Sequence, residues 1–201
     1  RSRGLGDVYK RQVTKHGNYG VSSGCGSSNV LEFLGIKFSN DYDFLRKCID
    51  KSNITFLHAP LFHSAMKNVA PVRRSLGFKT FFNILGPLVN PCQPKNQITG
   101  VYSLELARLY GDIFRNTDKN FSVLYSLDGY DEVSLTNEFK LINNKSEQIL
   151  DSSYFNLKKL EQNQIEGGYD IASSAKIFMD VLNDNCTCLL YTSDAADDQA
   201  C

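Results

Sequence analysis

Lys15, His16 and Asn18 bring an ammonium, an imidazole and an amide together just ahead of a loop rich in serine and glycine, residues 20–28. Ser22, Ser23, Ser27 and Ser28 each carry a hydroxyl, and Gly24 and Gly26 let backbone N–H groups curl around a bound group. The loop runs into the apolar segment Val30-Leu31-Glu32-Phe33-Leu34, which reads as a helix. Free N–H groups at a helix start, hydroxyls and one cation are the chemistry of a phosphate cradle. The plainer reading is a loop in which Ser27 or Ser28 only caps the helix. Asp131-Glu132 is a pair of hard oxygen ligands of the kind that shares Mg²⁺ with substrate phosphates, or else a solvated acidic turn. Asp128 beside it reads as a turn residue. His63, with Phe62 and Met66, could wall an aromatic pocket, and Arg73 could fork onto a carboxylate. The alternative there is a core histidine and surface arginines on a helix.

The elements that must position these groups follow from periodicity and punctuation. A helix starts at Ser27 or Ser28 and stops at Gly35, and Ser39-Asn40-Asp41 caps a second one with Phe44, Leu45, Cys48 and Ile49 on one face. Ile54-Thr55-Phe56-Leu57, residues 97–102 and residues 121–125 are strand candidates, with weaker strands at 139–142 and 148–150. Residues 61–76 read as a helix broken at Pro71, and Gly86-Pro87 and Asn90-Pro91 mark a tight connection. Residues 104–114 form a strong helix candidate with Leu106, Leu109, Tyr110 and Ile113 on one face, and a last helix spans 171–182. Strands alternating with helices predict an α/β fold with a mostly parallel sheet flanked by helices. Ligands of such sheets sit beyond the carboxyl ends of the strands, where both the 15–18 and 128–132 segments would fall.

Composition narrows the function classes. With 22 basic and 22 acidic residues the formal charge is +0, so there is no broad basic field for nucleic acid or an anionic membrane. No apolar run approaches the ~20 residues of a membrane span. Six scattered cysteines without paired spacing suit reduced thiols in a cytoplasmic protein better than a zinc site or disulfide framework. Both ends depart in composition from the body. Residues 1–12 and 185–201 read as a non-native leader and tail, translated linker or adaptor sequence, around a body at 13–184.

The motifs in order are KHGN (15–18), VSS (21–23), a glycine and serine before the helix, and FLHAP (56–60) with His63 and Met66-Lys67. VAPVRR (69–74), FN-x-LGP (82–87) with NP (90–91), and G-x-DEVSLT (129–136) follow. Together they resemble anthranilate phosphoribosyltransferase, collinearly over residues 13–183. The resemblance implies a truncated nucleoside phosphorylase/phosphoribosyltransferase-like fold. It implies transfer of phosphoribosyl from 5-phosphoribosyl diphosphate to the amine of anthranilate, in tryptophan biosynthesis. By position, Lys15, His16, Gly17, Asn18, Ser22, Ser23 and Ser27 would hold the donor. Asn18 and Arg73 would touch anthranilate, His63 would line its tunnel, and Asp131 and Glu132 would bind Mg²⁺. No covalent catalytic residue is required, since positioning and charge suffice. The implied protein is a cytoplasmic homodimer that binds small molecules, not nucleic acid or membrane.

The departures are Gly24-Cys25-Gly26 where the family has Lys-Ser-Gly, and a GTGGD loop and N-terminal helices that the family carries upstream of KHGN. The expectation is therefore an internal fragment that does not turn over by itself. Two rivals share some of these features. One is a pyrimidine nucleoside phosphorylase with a KHG-type motif; the other is a non-enzymatic relative that binds nucleic acid.

Overall fold

The computed structural model describes residues 11–19, 25–63, 84–183 and 185. They fall into two compact units, one reaching to Gln93 with Gly168–Met179 added, the other built on Pro94–Gly167. Ser22, Ser23, Arg73 and most of the helix expected at 61–76 lie outside the described residues.

In the first unit, strand β1 (Val13–Gly17) pairs in parallel with β2 (Ile54–His58), with Lys15 opposite Phe56 and Gly17 opposite His58. The connection between them carries helices α1 (Ser27–Phe33) and α2 (Tyr42–Ser52). A crossover of this kind is what parallel neighbours need. Asp41 caps α2 as expected, accepting the Phe44 N–H at 2.7 Å. Gly35 follows α1 with φ of 88°, the left-handed turn that ends a helix. Helix α3 (Ala59–Phe62) is a single turn with Pro60 as its second residue, and a 3₁₀ turn spans Gly86–Leu88. Helix α5 (Ile171–Leu182) matches the expected last helix, and its residues to Met179 belong to this unit.

The second unit is a four-stranded sheet in the order β3 (Asn96–Gly100), β4 (Asn120–Ser126), β5 (Phe139–Asn143), β6 (Glu147–Leu150). Helix α4 (Leu104–Arg115) joins β3 to β4, which run parallel. The α/β architecture is as expected, but β4–β5 and β5–β6 are antiparallel, so of four described pairings two are parallel. For β5–β6 the reason is connection length: residues 144–146 only allow a hairpin.

Burial on α4 corrects the expected face. Ala107, Tyr110, Gly111 and Phe114 are buried, while Leu109 is 42% exposed. The helix leans on the sheet through its small residues. A Cβ at Gly111 would lie 2.9 Å from Ile142 Cγ2, a contact that lets α4 approach β5 closely. Phe114 stacks obliquely on Phe121 at 5.4 Å, and Val123, Phe139 and Ile142 complete the core. Burial, with Tyr102 nearby, pushes the Tyr110 phenol up to about 12.

Candidate active site at the carboxyl ends of the strands

Because β1 and β2 are parallel, Gly17 and His58 end at the same edge, and the segments after each strand meet there. Lys15 is exposed, and its Nζ donates to Ser27 Oγ at 2.9 Å. This corrects the plainer reading of the loop. The N-cap of α1 is Gly26, not a serine, and its N–H donates to Asn29 Oδ1 at 3.1 Å. Ser27 thus stands as the first helical residue with its hydroxyl turned to a cation. At seven residues α1 is about 10 Å long, so the charge of the site comes from Lys15 rather than from a helix dipole. Asn18 is exposed and receives the Tyr19 N–H on Oδ1 at 2.8 Å.

His16 and His63 form a pair. His16 Nδ1 lies 3.2 Å from the Gly86 carbonyl, and its Nε2 lies 3.2 Å from Nε2 of His63, with the rings edge to face. A carbonyl can only accept, so neutral His16 carries its proton on Nδ1. Its Nε2 then accepts from His63. Burial, and next the neighbouring His63 ring, push the His16 pKa below its ordinary value, while the Gly86 carbonyl opposes them.

The residue that sequence reasoning missed is His58, 6% exposed at the end of β2. Phe38 stacks on it at 4.7 Å and Tyr19 meets it edge-on at 4.5 Å. Tyr19 is itself fixed by a 2.9 Å bond from its hydroxyl to Glu32. His58 Nδ1 has no hydrogen-bond partner. It borders a cavity of about 10 Å³, lined also by Lys15, Gly17, Ser28 and Phe38, which has the size of one water. His58 falls within the FLHAP motif, but nothing local in the sequence shows its burial or its aromatic partners.

Burial lowers the pKa of both His16 and His58. The unfolded chain therefore binds more protons below pH 6.5. Stability contributed by the neutral rings is present above that pH and lost as pH falls through the lowered folded values. His58→Phe is expected to raise the unfolding free energy by about 1 kcal/mol at pH 5.5 and by less at pH 8, read from urea melts at both.

Asp131 and Glu132 follow β4 in the second unit, and both side chains are exposed. Their backbone is held tightly. A Cβ on Gly100 would fall 1.4 Å from the Asp131 carbonyl oxygen, so the turn occupies the space a side chain would take. Ser126, fully buried, donates its hydroxyl to the Glu132 carbonyl at 2.5 Å. Asp128 is a turn residue, as expected: Ser134 and Thr136 donate to its Oδ2. Among the described residues no group of three or more His, Cys, Asp or Glu side chains gathers as a closed metal site. Nor is any described helix long and apolar enough to cross a membrane. Cys25, Cys48 and Cys92 are unbridged thiols.

The first unit thus has a strand-end rim with a cation, hydroxyls and imidazoles, and the second has an acidic turn after β4. The sequence profile described as "Glycosyl transferase family, a/b domain" matches residues 9–193, and the chain belongs to that family. Its relatives carry a more particular name. It is 63% identical over 171 residues to an anthranilate phosphoribosyltransferase of Christiangramia forsetii, a match covering 85% of this chain and 52% of that protein. With the enzyme of the same name from Flavobacterium psychrophilum it shares 59% identity over 172 residues, covering 86% and 52%. The crystal structure of anthranilate phosphoribosyltransferase from Thermus thermophilus is similar at a TM-score of 0.81 and 31% identity, covering 92% of this chain and 55% of that one. The Saccharomyces cerevisiae enzyme in complex with PRPP and Mg gives 0.75 and 29%, covering 84% and 47%. The expected likeness is borne out. The chain spans about half the length of the curated relatives it matches.

Proposed function

We propose that this chain supplies donor-, acceptor- and metal-binding residues of an anthranilate phosphoribosyltransferase. The reaction moves phosphoribosyl from 5-phosphoribosyl diphosphate to the amine of anthranilate, releasing diphosphate. The observation that carries the reading is Lys15 Nζ meeting Ser27 Oγ at the shared carboxyl edge of β1 and β2, in a chain 63% identical over 171 residues to an enzyme of that name.

The nitrogen lone pair attacks the anomeric carbon as the bond to diphosphate breaks with its electron pair, and the ammonium so formed releases one proton to water or to the departing diphosphate. Lys15 neutralises the departing charge, and Gly17 and Ser27 allow phosphate oxygens to approach. Asn18 offers an amide to either substrate. His63, held by His16, walls the aromatic acceptor. Ser22 and Ser23 would add hydroxyls to the donor site and Arg73 would pair with the anthranilate carboxylate, roles that rest on the resemblance.

Asp131 and Glu132 fit Mg²⁺. They are two accessible carboxylates on a turn fixed by Gly100 and Ser126, and Mg²⁺ commonly takes one or two carboxylates with the rest of its shell from substrate and water. The ion, when bound, offsets diphosphate charge. A cytoplasmic homodimer is the assembly we propose, and a formal charge of +0 argues against nucleic acid as a partner.

The test is a chimera in which residues 13–183 replace the matching region of the C. forsetii protein. It is expected to consume anthranilate with donor and Mg²⁺ and to leave thymidine and phosphate untouched.

A further inference from the structure

We propose that Asp128 is a positioning residue for the acidic pair: its carboxylate clasps Ser134 and Thr136 and so closes the turn that presents Asp131 and Glu132 to a divalent cation. The proposal rests on the magnesium reading of those two residues.

The turn is tied on both sides of the pair. Upstream, Gly129 N–H donates to the Ser126 carbonyl at 3.0 Å, and Ser126 N–H to the Tyr130 carbonyl at 3.1 Å. The Ser126 hydroxyl reaches the Glu132 carbonyl. From the side, Gly100 receives the Asp131 carbonyl against its bare Cα. Downstream, Ser134 and Thr136 are 2% and 7% exposed, and their hydroxyls donate to Asp128 Oδ2 at 2.7 and 2.5 Å. Ser134 Oγ in turn accepts the N–H groups of Thr136 and Asn137, each at 3.1 Å. One oxygen of Asp128 therefore spans the pair, joining the residue three positions before Asp131 to hydroxyls two and four positions after Glu132.

The chemistry gives the clasp its weight. Hydrogen bonds to an ionised carboxylate are roughly twice as strong as neutral ones, and two converge on a single oxygen. Two adjacent flexible carboxylates bind a divalent cation poorly unless their backbone is fixed beforehand, and groups that orient ligands typically affect metal affinity 10- to 100-fold. Asp128 Oδ1 is buried without a partner, so an asparagine can set its oxygen in the Oδ2 place and its amide in the other.

The test uses the full 201-residue chain with Mn²⁺ as the probe, followed by paramagnetic broadening of the amides of Tyr130, Asp131, Glu132 and Val133. The wild type is expected to broaden there selectively. D128A is expected to weaken Mn²⁺ binding about 10-fold and to speed hydrogen exchange at the same amides without metal. D128N should retain more affinity than D128A. T136V, which removes one donor and keeps the shape, should weaken binding about 3-fold and decides the matter if D128A does not fold. Mn²⁺ affinity within twofold of wild type in folded D128A, or in T136V where D128A fails to fold, overturns the clasp alone. Absence of broadening at these amides in the wild type overturns the magnesium reading beneath it.

Discussion

In the chimera with the C. forsetii protein, Lys15→Ala is expected to lower kcat/KM by about 100- to 1,000-fold, read from the rate of anthranilate fluorescence loss. The size follows from charge. A diphosphate leaving group gains negative charge as the anomeric bond breaks, and a preplaced ammonium stabilises it without reorganising. Lys15 is the central residue of β1, exposed, and bonded to Ser27 at 2.9 Å. Its removal takes little from the fold, and the melting curve should shift by less than about 0.5 kcal/mol. Ser27→Ala should cost far less than Lys15→Ala, because the ammonium remains and loses one hydrogen bond. If Lys15→Ala keeps half or more of the activity, the phosphate reading of the 13–29 segment is wrong.

Gly100 carries the largest expected effect on stability. Any side chain there would place a Cβ 1.4 Å from the Asp131 carbonyl oxygen and 2.5 Å from its carbon, both backbone atoms that no rotamer change can move. Gly100→Val should destabilise by about 3 kcal/mol or more, dropping Tm by about 10 °C in a thermal melt. Gly129 is the internal control. Its φ of 94° strains a side chain, but nothing lies within 4 Å of its Cβ position, so Gly129→Ala should cost only about 1 kcal/mol. A Gly100 variant as stable as the Gly129 variant would mean that the acidic turn does not pack on the end of β3.

Much of this was legible in the sequence where punctuation is local. Asp41 announced α2, Gly35 ended α1, and the buried run at 121–125 was β4. The motifs from KHGN to DEVSLT pointed to the family before any geometry. What stayed hidden depends on contacts between distant residues. The core face of α4 runs through Ala107 and Gly111, small residues that a search for large apolar side chains passes over. The antiparallel pairing of β5 with β4 depends on how residues 127–138 turn, which strand propensity does not encode. His58 looked like a strand end, and its aromatic clamp draws Phe38 and Tyr19 from 20 and 39 positions away. The hydroxyl of Ser27 looked like a helix cap until its cation partner, 12 positions upstream, was seen across the strand edge.

The most direct test of the central claim is the chimera's substrate choice. With 5-phosphoribosyl diphosphate and Mg²⁺ present, anthranilate fluorescence should decay and one diphosphate should appear for each acceptor consumed, while thymidine with phosphate gives no thymine. A stable chimera that phosphorolyses thymidine, or that leaves anthranilate unconsumed under conditions where the intact C. forsetii protein turns over, would contradict the account.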